Sequence, residues 1–118
     1  MIRVVALGGA LGSALRWAIS LLWAPHFPWT TLAINVIGSA ALGALLAWIV
    51  LRPQTHPLMR PFLGTGILGG FTTFSTFTVE TRGLPASLAV TYVVLTLVGA
   101  ISAVVIAERL VRRWRPSP

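Results

Sequence analysis

Four apolar stretches, each about the length of a bilayer-crossing helix and each closed by prolines or a glycine, constrain this chain more than any other feature. They run over roughly 4–23, 29–51, 58–80 and 85–107. A helix needs about 20 apolar residues to cross the hydrocarbon core. Pro25 and Pro28, then Pro53 and Pro57, then Gly83 and Pro85 stand between the stretches. The connections are short, so consecutive helices should be antiparallel neighbours. The chain is 56% hydrophobic and 9% charged over 118 residues. About a quarter of an ordinary soluble domain is charged, and a soluble chain of this size buries too little of its surface to hide so much apolar area. The sequence therefore predicts an all-α integral membrane protein, one domain over 1–118, with four transmembrane helices. The first stretch is long and carries Arg16, which reads as a span rather than a cleaved signal.

Several function classes drop out at this stage. There is no cysteine and no aspartate, and His26 and His56 fall in connections. No nucleophile–base pair or metal-ligand set can be assembled, so an enzyme is not expected. No carboxylate lies in mid-span, which argues against a small four-helix proton-coupled transporter. The net charge of +7 comes from arginines near span ends, where anionic lipid headgroups meet them, so nucleic acid is not an expected partner. Arg3, Arg52, Arg60, Arg109, Arg112, Arg113 and Arg115 fall on one side of a four-span topology, and Arg82 on the other. That asymmetry predicts cytoplasmic N- and C-termini by the positive-inside rule. Glu108 reads as a plain interfacial charge.

The polar residues inside the spans are ordered. Thr31, Asn35 and Ser39 recur every fourth residue of the second span and so share one helical face. An intramembrane Asn commonly bonds a neighbouring helix. Flanked by two hydroxyls, Asn35 makes a polar track instead, with two amide donors to offer. The third span carries Gly64, Gly66, Gly69 and Gly70, then Thr72 and Thr73. Gly66 and Gly70 have a close-packing spacing, as do Gly8 and Gly12 in the first span. The adjacent Gly69 and Gly70, with the threonines after them, predict a break in mid-membrane. Backbone leaves a helix there only where protein or a wet path covers it. Carbonyls released by the break need a partner: water, side chains or a cation. A helix restarting near Phe74 would point its N–H groups at an anion.

Phe74 and Phe77 are three apart and share a face. Packing alone accounts for many such pairs, but the electropositive ring edge also suits an anion. Tyr92 and Thr96 lie four apart in the fourth span, followed by Gly99. That spacing fits a polar stripe, and equally an interfacial tyrosine with a threonine bonded back to its own helix. Arg16, costly inside a membrane, should face a vestibule or a partner. Glu80 stands at the end of the third span as a rim charge, a salt-bridge partner or part of a permeation entrance.

With these residues in view, the chain resembles the small bacterial fluoride channels, the Fluc or CrcB family. The resemblance rests on GGALGSALRW (Gly8 to Trp17), TLAINVIGS (Thr31 to Ser39), GGFTTFSTF (Gly69 to Phe77) with Glu80 after it, and the Tyr92, Thr96, Gly99 series. It implies a passive fluoride channel that exports cytoplasmic fluoride across the bacterial inner (plasma) membrane and lowers fluoride toxicity. It also implies an antiparallel, dual-topology type of dimer enclosing two pores. Asn35, Phe74 and Phe77 would line each pore, and Ser75 and Thr76 would continue the polar track made by Thr31, Ser39, Thr73, Tyr92 and Thr96. Arg16 corresponds to the family arginine and, with Glu80, belongs to a vestibule. A sodium ion at the dimer centre would be held by backbone carbonyls of Gly69 and Thr72.

Two features depart from the family pattern. Ala100 stands where a hydroxyl often continues the fourth-span track. The one-sided arginines also contrast with the weak bias of members that insert both ways. A related, oppositely oriented partner subunit is therefore favoured over an identical copy. A pore-poor structural partner of a two-gene fluoride channel is the alternative reading.

Overall fold

The computed structural model describes residues 1–114; Arg115, counted above among the basic residues of one side, lies outside them. The described residues form helices α1 (Ile2–Leu22), α2 (Trp29–Leu51), α3 (Gly69–Phe71), α4 (Ser75–Arg82) and α5 (Ala86–Arg113), and no strand. A π-helical segment, Arg60–Leu68, runs directly into α3. Among the described residues, four helical stretches are long and apolar enough to cross a membrane: Ile2–Leu22, Trp29–Leu51, Arg60–Arg82 and Ala86–Arg113.

The termini of these elements follow chemistry that hydropathy does not register. The apolar run of the fourth stretch closes near 107, yet α5 continues to Arg113. Arg112 Nε donates to Glu108 Oε1 across one turn at 2.9 Å, a pairing that suits an exposed helix end. Pro28 and Pro85 precede α2 and α5, where their fixed φ and missing N–H do no harm.

Glycines set which helices touch. A Cβ on Gly8 would lie 2.5 Å from the Phe62 carbonyl oxygen and 2.9 Å from Gly66 Cα. One on Gly12 would strike the carbonyl of Ile67, and one on Gly70 the carbonyl of Gly9. The two glycine pairs read from sequence thus form one seam, backbone against backbone, between α1 and the third stretch. On the other side, a Cβ on Gly43 would lie 2.6 Å from the Val104 carbonyl oxygen, and one on Gly99 3.0 Å from Val36. In both seams the contacting residue numbers rise together. First and third stretches are therefore parallel, as are second and fourth, which is what alternate crossing of a bilayer requires. The same order gathers Arg3, Arg52, Arg60, Arg109, Arg112 and Arg113 at one end of the bundle and leaves Arg82 at the other.

The π-helical segment has no counterpart in the sequence reading. Its wider i→i+5 bonding carries through to Gly69, whose N–H reaches the Gly64 carbonyl. Such segments are rare and tend to sit at functional sites. Here it delivers the chain to the point where helical geometry stops. Thr72 has φ −75° and ψ 156°, an extended conformation, and regular helix resumes at Ser75.

Candidate functional site

The interrupted segment is held from two sides. From α2, Asn35 Nδ2 donates to the Thr73 carbonyl at 2.9 Å, while the Thr73 N–H donates to Asn35 Oδ1 at 2.8 Å. One side chain thus satisfies both backbone groups of Thr73, the middle one of the three residues that neither helix includes. From α1, Ser13 Oγ (3.3 Å) and Arg16 Nε (3.2 Å) donate to the Gly70 carbonyl, one of the acceptors that continuous helix would have used. Arg16 accordingly meets backbone here and lines neither of the two cavities described below.

The restarting helix is capped locally. The Thr76 N–H donates to Thr73 Oγ1 at 3.2 Å, as with an N-cap threonine. The Thr73 hydroxyl also meets Thr76 Oγ1 at 3.2 Å and Ser75 Oγ at 3.4 Å. Thr73, Ser75 and Thr76 therefore form one hydroxyl cluster. Thr72 turns its own hydroxyl back to the Leu68 carbonyl at 2.9 Å. Among the described residues, no backbone N–H beyond the interruption returns to the carbonyls of Gly69, Phe71 or Thr72.

Beside this segment lies a groove of about 310 Å³. Asn35, Ser39, Thr73, Phe74, Phe77 and Thr96 line it, together with Gly69 and Thr72. Leu42, Leu68, Leu97 and Ala100 make the rest of the wall apolar. Phe74 and Phe77 stand 5.7 Å apart at 45°, but in unlike settings: Phe77 is buried and Phe74 is 78% exposed. The groove is open on the Phe74 side, where Gly69 is also exposed.

Thr96 is the notable member. It is 7% exposed, and its hydroxyl has no hydrogen-bond partner among the described residues. It does not bond back to its own helix, so the bland reading of this threonine fails. An unpaired buried hydroxyl costs about 1–3 kcal/mol, which a ligand in the groove would recover.

One turn beyond Phe77 on α4, Glu80 is half-buried and takes two hydroxyls. Thr31 Oγ1 donates to one carboxylate oxygen at 2.7 Å, and the Tyr92 hydroxyl to the other at 3.2 Å. Glu80 and Thr31 line a second cavity of about 410 Å³, closed by the α1–α2 connection and the Gly83–Leu84 turn. Tyr92 is fully buried, so it is no interfacial anchor. Its ring packs on Phe77 at 5.1 Å and on Phe27 at 5.6 Å. Phe27 escaped the sequence reading because a lone aromatic in a connection has no periodicity to mark it.

The arrangement offers donors and aromatic rings to a small guest and almost no charge. Asn35 keeps one amide hydrogen free, Thr96 and Ser39 bring hydroxyls, and Phe77 brings an aromatic ring beside them. Comparison with known proteins gives the family. The family described as CrcB-like protein, Camphor Resistance (CrcB), matches residues 3–107. A protein of Streptomyces coelicolor named fluoride-specific ion channel FluC 1 is 45% identical, with 99% of this chain and 82% of that one covered. Fluoride-specific ion channel FluC of Erythrobacter litoralis is 48% identical over 92% of this chain and 89% of its own. That of Saccharophagus degradans is 44% identical over 87% and 83%. By the extent of these matches, this four-span membrane protein belongs to the CrcB family.

Proposed function

We propose that this chain is a subunit of a passive, fluoride-selective channel, not an enzyme, that lets cytoplasmic fluoride leave the cell down its gradient and so lowers fluoride toxicity. One observation carries the reading: the unpaired Thr96 hydroxyl lies in the same groove as Asn35, Phe74 and Phe77. A small anion needs close donors to replace its water, yet must not be held so tightly that it cannot leave. Hydroxyls, one amide hydrogen and ring edges meet both demands. The relatives named fluoride-specific channels supply the identity of the ion.

The pore is completed by a second subunit in antiparallel orientation, in the bacterial plasma membrane, with the third span broken at membrane depth. Support comes from the open side of the groove, where Phe74 and Gly69 stand exposed and a partner has room to close the path. The arginines gathered at one end favour a fixed orientation with cytoplasmic termini, hence a related partner of opposite orientation rather than an identical copy. The Gly69 and Thr72 carbonyls, free of the restarting helix, fit the oxygen donors that a hard cation takes. Together with the same pair from the partner, they would hold a sodium ion that fixes the two interrupted segments to each other.

The apolar wall at Leu42, Leu97 and Ala100 favours a second reading, a pore-poor partner whose mate conducts. The test is fluoride efflux from liposomes holding the purified assembly, with chloride as control and any partner subunit present. Efflux no faster than from empty vesicles defeats the channel reading. Loss of flux on changing Asn35 and Phe77 in this chain alone, in an assembly that still purifies folded, excludes the pore-poor reading, and unchanged flux supports it.

A further inference from the structure

The Tyr92 hydroxyl is useful only if its ring is held in one orientation. It donates to Glu80 at 3.2 Å, long for a hydroxyl–carboxylate bond, so a modest tilt of the ring would release it. The phenolic oxygen lies on the axis of the outer torsion, so rotating the ring turns the O–H bond, which prefers the ring plane, while leaning the ring moves the oxygen itself; that torsion is intrinsically broad, and packing on the ring fixes both. Two rings supply that packing. Phe77 meets Tyr92 at 5.1 Å and 53°, and Phe27 meets it edge-on at 5.6 Å and 82°.

Phe27 is itself fixed. Pro28 after it restricts its backbone to extended conformations. The Trp29 N–H donates to the Phe27 carbonyl at 2.7 Å, and the Trp29 ring packs on the Phe27 ring at 4.6 Å. A chain of contacts therefore runs from the first residue of α2, through Phe27, to Tyr92 on α5 and Glu80 on α4.

We infer that Phe27, in the connection between α1 and α2, is a positioning residue of the permeation route: it orients Tyr92 so that its hydroxyl holds the Glu80 carboxylate. The inference rests on the channel reading for its effect on flux, but not for its effect on Tyr92. Phe27 does not touch the ion. It acts through a ring that already touches the groove-lining Phe77.

Tyr92 is the chain's single tyrosine, so protein labelled with 3-fluorotyrosine gives one fluorine resonance reporting on this ring. In wild-type protein the resonance should be one narrow line. Phe27→Ala should shift and broaden or split it, and Phe27→Trp should restore a narrow line. Fluoride flux should fall roughly two- to tenfold in Phe27→Ala, the range expected for losing one aromatic pair. Phe27→Leu, which keeps bulk without a ring, should show the same loss and serves if the alanine variant does not fold. In a Tyr92→Phe background, where the hydroxyl is already gone, Phe27→Ala should change flux less than about twofold. An unmoved resonance, or an equal further loss in the Tyr92→Phe background, overturns the inference. Absence of flux in the wild type refutes the channel reading instead, while the resonance still decides the role of Phe27.

Discussion

Asn35 and Thr73 are joined twice, amide hydrogen to carbonyl at 2.9 Å and backbone N–H to amide oxygen at 2.8 Å. The pairing gives Thr73, midway between two helices, the hydrogen bonds that a helix would have given it. Replacing Asn35 with Ala leaves a backbone donor and acceptor without partners, each worth about 1–3 kcal/mol where water is excluded. Asn35→Ala should therefore lower the midpoint of thermal unfolding in detergent and abolish flux together. Asn35→Asp keeps only the acceptor and adds a negative charge at the groove. It should unfold closer to wild type than Asn35→Ala does, while conducting no better.

Thr96→Val separates stability from transport. The substitution removes a hydroxyl with no partner among the described residues and keeps the side chain's shape. Unfolding should occur at the same temperature or higher, because a desolvated polar group costing about 1–3 kcal/mol is gone. Flux should nevertheless fall. Equal flux in the valine variant would mean that the hydroxyl does not serve the ion.

The glycine seam makes a prediction about close approach. Gly12→Ala drives a methyl into the Ile67 carbonyl, and neither backbone can move without opening the contact between α1 and the third stretch. Overpacking of that kind costs about 1–3 kcal/mol. Gly83→Ala is the matched control, since its Cβ would find the nearest atom at 3.5 Å and the backbone φ is −83°. Thermal unfolding should separate the pair clearly, with the Gly83 variant near wild type.

Glu80 has two hydroxyl donors, and their removal should not be additive. Thr31→Val or Tyr92→Phe leaves the carboxylate with one donor and should cost about 1.5–3 kcal/mol, as for loss of a hydrogen bond to a charged group. Removing both leaves a half-buried carboxylate with neither of the hydroxyls that bind it here. That loss should exceed the sum of the single losses in a double-mutant cycle of unfolding free energies.

Much of this architecture was legible in the sequence because a bilayer admits few solutions. Twenty-odd apolar residues between prolines leave little choice but a helix, and α2 runs over Trp29–Leu51, the stretch read between Pro28 and Arg52. The spacing of Thr31, Asn35 and Ser39 put them on one face, but not what that face meets. Asn35 meets backbone, Thr31 meets Glu80, and Ser39 lines the groove without a protein partner among the described hydrogen bonds. Those differences depend on the height of α4 relative to α2, which no local pattern encodes. The π-helical segment was hidden for a related reason. Its i→i+5 bonds depend on how α1 and α2 grip Gly64 and Gly66, not on the propensities of RPFLGTGIL. Phe27 looked like a loop residue until its contact with Tyr92 placed it beside the site.

Selective passive conduction of fluoride is decided by a reversal-potential measurement. The purified assembly, with any partner subunit, is placed in a planar bilayer under opposed gradients of fluoride and chloride. Currents should reverse close to the fluoride equilibrium potential and vanish when Asn35 or Phe77 is changed. Reversal at the chloride or cation potential, or no current with protein shown to be inserted, would contradict selective fluoride conduction.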